Sequence, residues 1–168
     1  VDFWCSLLER VKSKLNCRMV LLPHAMNWAL DDDRLIVRDI VIASTKRGRL
    51  FDTLEVVENL PLPWETRQFY FSRARLTVTA RMHAAISTLS KGSLPINIAY
   101  SEKSHGVIGE HFPLKKLVVD VRKFSSRQEL DNAVYSAIDF LSENYETLFQ
   151  RVAERVPAVQ ELARQNIV

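Results

Sequence analysis

The stretch LTVTARMHAAISTLSKGSLPINIAY, residues 76–100, changes periodicity twice within one short run. Leu76, Thr77, Val78, Thr79 and Ala80 are apolar or β-branched, as a buried strand requires. A helix follows directly, from about Met82 to Ser90, so that Arg81-Met82-His83 stands where the strand ends and the helix begins. Gly92 suits the left-handed position that closes such a helix, and Pro95 opens a second strand at residues 96–100. Strand, helix and strand in this order build a parallel sheet covered by helices.

The same alternation extends in both directions. Toward the amino end, Asp2 is placed to cap a helix whose stripe is Trp4, Leu7, Leu8, Val11 and Leu15, ended by Asn16. Residues 18–22 read as a short buried strand stopped by Pro23. Asp31, Asp32 and Asp33 can cap residues 34–44, read as a helix although Ile36, Val37, Ile40, Val41 and Ile42 would equally suit a strand. Lys46-Arg47-Gly48-Arg49 is a solvated turn, residues 54–58 a strand, and Pro63 the first turn of a helix through Phe71 and Ala74. Toward the carboxyl end, a loop over residues 101–109 leads to a helical turn and a fifth strand at 117–119. Ser126-Arg127-Gln128-Glu129 is a capping box opening a long helix, about 126–156, which Pro157 breaks or kinks before Val159 and Leu162 add a last turn or two.

Five strands separated by helices predict one α/β domain over residues 1–168, with helices on both faces and strand order 2-1-3-4-5. The 168 residues and 19.4 kDa suit one domain, and 47% hydrophobic with 26% charged residues exclude a disordered chain. No apolar run reaches the roughly 18–20 residues that cross a bilayer, and residues 1–6 lack a basic start and cleavage site. The expectation is a soluble cytoplasmic domain. With Val1 in place of Met, the chain is expected to be a piece of something longer. Cys5 and Cys17 form no CxxC pair and read as helix-face and surface residues, and four glycines are too few for a dinucleotide or P-loop motif. A net charge of +3 is small for a nucleic-acid binder. The clusters Lys46-Arg47-Arg49, Lys115-Lys116 and Arg122-Lys123 are dispersed and flanked by no aromatic platform.

In open parallel sheets, ligands sit beyond the carboxyl ends of the strands. That selects Pro23-His24, Leu60-Pro61, Arg81-Met82-His83, Ser101-Glu102-Lys103 and Asp120. Arg81 and His83 fall at a helix amino end, where unpaired N–H groups attract anions and a guanidinium adds a bidentate fork. The dipole disfavours the imidazolium of His83, which suits a proton-exchanging group. The structural alternative has Arg81 in a private ion pair and His83 packed. After the next strand come Tyr100, Ser101 and Lys103, the last placed to neutralise an anion, with Gly106 permitting close approach or a tight turn; a solvated loop is the alternative. His24 points toward the same crevice as Arg81 in the expected order, or caps a backbone carbonyl. No His, Cys or carboxylate spacing suits a metal.

Arg81-Met82-His83-Ala84, the 94–100 strand ending in Tyr100, and Lys103 followed by Gly106 and Gly109 resemble the carboxyl half of the polysaccharide pyruvyl transferase family. Leu22-Pro23-His24 followed by Asp31-Asp32 resembles the family's strand-then-His and acidic-pair region, so that the likeness spans about residues 18–120. Ser93-Leu94 lengthens the stretch before Pro95 relative to the family's pattern. The resemblance implies a Rossmann-like lobe, the second of a two-lobed GT-B-type fold, whose amino-terminal lobe and acceptor surface lie outside this chain. It implies transfer of a pyruvyl group from phosphoenolpyruvate to a sugar as a cyclic ketal in bacterial polysaccharide synthesis, with no cofactor and no metal. Arg81 and Lys103 would anchor the donor's carboxylate and phosphate, aided by Tyr100 and Ser101. His83, with His24 second, would be the acid or base. The helix amino end would stabilise charge on the leaving phosphate.

Two rival readings remain at this point. A donor lobe of a nucleotide-sugar glycosyltransferase would want a ribose-binding carboxylate and a glycine-rich turn where this chain has Arg-Met-His. A non-catalytic interaction domain of the same fold would carry the same sequence pattern.

Overall fold

In the computed structural model, which describes residues 1–27, 31–48, 53–57, 62–112 and 114–165, helices and strands alternate along the chain. Mixed α/β architecture with parallel strand pairing is present as expected. The chain divides into two compact units, Val1–Arg67 and Gln68–Val168.

In the first unit, helix α1 (Asp2–Leu15) packs on helix α2 (Asp33–Lys46). Asp2 is the first helical residue rather than a cap: Val1 holds the cap position, and the Asp2 carboxylate pairs with Arg47. An acid there still favours the positive helix end. Asn16 ends α1 in the left-handed region at φ 42°, its N–H donating to the Lys12 carbonyl at 3.0 Å. The ambiguity over residues 34–44 resolves as helix because Asp32 accepts from the Arg34 N–H at 3.0 Å, a local start signal that outweighs β-branching. Cys5 is 2% exposed, its Sγ 3.6 Å from Ser44 Oγ, and Cys17 is half-buried. Strands β1 (Met19–Leu21) and β4 (Leu54–Val56) pair in parallel. Between them, β2 (Met26–Asn27) and β3 (Asp31–Asp32) form an antiparallel bridge that hydrophobic pattern does not signal. Arg49, Glu58 and Leu60-Pro61 lie outside the described residues. Helix α3 (Trp64–Arg73) follows.

In the second unit, β5 (Leu76–Thr79), β6 (Leu94–Ala99) and β7 (Val118–Asp120) form a parallel sheet in that order. Both α4 (Met82–Ser90) and α5 (Arg127–Gln165) pack on β6, and all six β6 residues are buried, so both faces of the central strand are covered. Pro95 lies inside β6 rather than at its start. It is tolerated because pairing with β7 begins only at Asn97. Gly92 closes α4 at φ 75°, its N–H reaching the Leu89 carbonyl at 2.9 Å.

The ladders β1–β4 and β5–β6–β7 reproduce the expected 1–2 and 3–4–5 neighbours, but among the described residues they are separate sheets and not one sheet of five strands. An apolar run shows that a strand is buried; it does not name the strand's neighbour across a long connection.

Helix α5 runs through Pro157 to Gln165 instead of breaking there. The proline removes one helical donor and crowds the turn before it, yet Ala153 and Pro157 are exposed, so water can take the carbonyl left over. The irregularity falls at Asn144 (φ −115°, ψ 15°), whose Nδ2 donates to the Phe140 carbonyl at 2.8 Å. At the helix start, Ser126 Oγ accepts from the Glu129 N–H at 3.2 Å, while the Glu129 carboxylate accepts from Ser125 N–H at 2.9 Å, one residue earlier than a standard capping box. Ser126→Ala should therefore cost about 1 kcal/mol in denaturant unfolding. No described helix is long and apolar enough to cross a membrane.

Candidate functional site at the carboxyl edge of the second sheet

Arg81 links β5 to α4 with almost no loop. Its backbone is extended (φ −91°, ψ 114°), and its own side chain makes no capping hydrogen bond. The first helical bond runs from Ala85 N–H to the Arg81 carbonyl at 3.1 Å, so the N–H groups of Met82, His83 and Ala84 precede the helical ladder. This is the positive end of a nine-residue helix. The turn is fixed from below: Arg81 N–H donates to Thr79 Oγ1 at 3.0 Å, and the fully buried Asn97 donates from Nδ2 to the Thr79 carbonyl at 3.2 Å. His83 is exposed and Arg81 half-buried.

The neighbouring strand β6 leaves the sheet at the same edge. Thr79 pairs with Asn97, and Ala99, two residues on, pairs with Asp120. Arg81 and His83, Tyr100 to Lys103, and Asp120 therefore follow three adjacent parallel strands. Tyr100 is 63% exposed, Ser101 half-buried and Lys103 exposed. The chain then makes a wide π-helical turn at His105–Glu110, a form often found at functional positions. Among the described residues nothing crowds Gly106: a Cβ there would meet no atom within 4 Å. Gly109 is the tighter of the two: a Cβ would lie 3.4 Å from Lys115 Cγ.

Residue pattern gave Asp120 a position but no role. In the structure its side chain, 2% exposed, organises an ionic network at the end of β7. Oδ1 accepts from the Arg122 N–H at 3.1 Å and from Nε at 2.9 Å; Oδ2 faces Arg122 Nη2 at 2.7 Å and His105 Nε2 at 3.0 Å. Arg122 also pairs with Glu102. Hydrogen bonds from the Arg122 guanidinium, against the opposing effect of burial, hold the Asp120 carboxyl well below the usual carboxylate range; the Arg122 N–H and His105 add to this. Arg122 is correspondingly raised, by Asp120 first and then Glu102. The first unit uses the same Asp-x-Arg arrangement, Asp32 accepting from Arg34 N–H and, at 2.7 Å, from its Nε. That recurring pattern is the sequence signal that marks Asp120.

A carboxyl whose folded value is depressed binds fewer protons in the native than in the unfolded chain. Its stabilisation is complete above the unfolded value, about 3.9 for Asp, and is lost as pH falls below it. The melting temperature of the native chain should drop on acidification through this range. Asp120→Asn, less stable at pH 7, should drop less, as melting curves recorded across pH would show.

His24 belongs to the first unit. Its backbone is held from two sides: Asp33 Oδ2 accepts from the N–H groups of His24 and Ala25 at 3.0 and 2.8 Å, and Arg67 Nη1 donates to the His24 carbonyl at 3.1 Å. No group of three His, Cys, Asp or Glu side chains among the described residues is placed to hold a metal ion. Among the described residues, open grooves of the second unit include the following two. One of about 480 Å³ is lined by Glu110, His111, Arg151, Glu154 and Arg155. The other, of about 440 Å³, runs between Lys116, Asp120 and Lys123 on one side and Ala133 and Phe140 of α5 on the other. Neither is lined by Arg81, His83 or Lys103. Compared with protein-family models, curated proteins and solved structures, the chain matches none.

Proposed function

We propose that this chain binds phosphoenolpyruvate at the carboxyl edge of the β5–β6–β7 sheet and forms the donor half of a pyruvyl transferase that builds cyclic ketals on a glycan. One observation carries the reading: Arg81, at a helix amino end, and Lys103 follow adjacent parallel strands and leave the sheet at one edge. The donor has a carboxylate and a phosphate and needs two cationic anchors; a guanidinium fork and an ammonium supply them. His83, in the first turn of the same helix, is the acid that protonates the enol carbon. Tyr100 and Ser101, on the stretch between the two anchors, line the donor, and the α4 amino end stabilises the charge growing on the departing phosphate.

The finer architecture that goes with this reading is a Rossmann-like lobe of a two-lobed cytoplasmic transferase, the partner lobe supplying the acceptor surface. The helix-covered parallel strands support it. His24 is the second acid or base candidate under the same resemblance, and the reaction as written calls for no cofactor.

Thermal unfolding tests the donor assignment. Phosphoenolpyruvate should raise the melting temperature of the chain more than uridine diphosphate at equal concentration, as ligand binding to the native state requires. A larger response to the nucleotide favours a sugar-nucleotide lobe, and no response to either favours a non-catalytic interaction domain.

A further inference from the structure

We propose that His105 is a second proton-transfer group of this edge, held by Asp120 as the Nε2–H tautomer with Nδ1 turned to the ligand. It rests on the donor reading above and adds to it a residue that sequence pattern had left as part of a solvated loop.

The tautomer follows from counting donors. An ionised carboxylate only accepts, at about four lone-pair sites. Asp120 receives Arg122 N–H and Nε on Oδ1, and Arg122 Nη2 with His105 Nε2 on Oδ2. The Arg122 guanidinium keeps that carboxyl ionised, so the proton in the His105–Asp120 bond belongs to Nε2. Neutral His105 then carries its lone pair on Nδ1. The His105 side chain is 26% exposed, and among the described residues Nδ1 makes no hydrogen bond. Nδ1 is thus open to a ligand while the opposite side of the ring is clamped by a buried acid. A carboxylate behind an imidazole fixes its orientation and stabilises the imidazolium once a proton arrives.

Position supports the assignment independently. Asp120 pairs across the sheet with Ala99, and His105 lies two residues beyond Lys103 in the segment that leaves β6. Among the described residues, Arg122 bonds Asp120 and also pairs with Glu102, and Lys115, Lys116 and Lys123 line the same groove as Asp120; Lys103 precedes His105 by two residues.

The chemistry of ketal formation has work for a second group. Two hydroxyl protons are released; one ends on the enol carbon and one on the departing phosphate. In the step assigned here, His105 Nδ1 takes the proton of the first hydroxyl as its oxygen forms the bond to C2 of the donor. The electron pair of the C2–C3 double bond takes a proton from the His83 imidazolium. As the C2–O bond to phosphate breaks, His105 returns its proton to the leaving oxygen. The second hydroxyl closes the ketal, and its proton restores His83. Asp120 is the positioning residue.

Nitrogen-15 NMR of the imidazoles tests this on the full chain, with the His105 resonances assigned by their loss in His105→Gln. At a pH where the ring is neutral, the proton should be found on Nε2. Phosphoenolpyruvate should shift the Nδ1 resonance with the same midpoint as binding that depends on Arg81. Asp120→Asn, where it folds, should release the ring to a mixture of tautomers. A proton resident on Nδ1 in the unliganded native chain, or donor binding that leaves His105 unmoved, overturns the proposal and leaves the donor reading standing. Absence of phosphoenolpyruvate binding overturns both.

Discussion

Arg81→Ala should weaken phosphoenolpyruvate binding by about ten- to a hundredfold. Hydrogen bonds to charged groups are worth about 1.5–3 kcal/mol, and each 1.4 kcal/mol is a factor of ten. The backbone of this residue is set by Thr79 and the helix it opens, so the loss falls on recognition: Arg81 N–H keeps its 3.0 Å bond to Thr79 Oγ1 whatever side chain follows. Arg81→Lys should be intermediate, since it keeps the charge and loses the planar fork. Lys103→Ala should cost less than Arg81→Ala, because an exposed single ammonium is already well hydrated and screened. Isothermal titration of the three variants orders them. Arg81→Ala binding as tightly as the unsubstituted chain would remove Arg81 from the site.

The second large effect is on stability. Ile96→Ala should destabilise the chain by about 2–5 kcal/mol in urea unfolding, the range for removing a buried aliphatic side chain and leaving a cavity. Ile96 is 0% exposed in the central strand, paired with Val78 of β5 and covered on both faces. Leu35→Ala supplies the contrast: at 55% exposure on α2 it should change stability by about 0.5 kcal/mol or less. The same six buried positions of β6 carry Tyr100 and Lys103 at their end. Loosening the strand should therefore also weaken donor binding, through displacement of the groups at its end.

What the residues announced were features governed by near neighbours. Asp32 as a cap, Gly92 as a helix stop and Ser126 before Glu129 each make their decisive bond within four positions in sequence. The strand-to-helix junction at Arg81 is legible for the same reason. The Asp120 network is not, because its His105 partner lies 15 residues away and is delivered by strand pairing and a π-helical turn. Asp120 is therefore legible as a strand-end position without a role, and His105 as part of a loop. Cys5 looked like one residue of a helix face, yet it lies against Ser44 of α2, 39 positions on. Pro157 misled in the other direction. Proline costs a helical bond and crowds the preceding turn wherever it sits, but here that turn faces water, which can take the freed carbonyl. Division of the expected sheet into two ladders has the same origin, since strand neighbours are chosen by contacts that no local window contains.

The start of α4 and the segment after β6 serve a single anion in the proposed site. A backbone amide proton–nitrogen shift map of the chain titrated with phosphoenolpyruvate tests it most directly. Residues 81–84 and 100–105 should move together with one midpoint, and in Arg81→Ala both sets should need about ten- to a hundredfold more ligand to reach it. Shifts confined to one of the two segments, or separate midpoints for each, would contradict it.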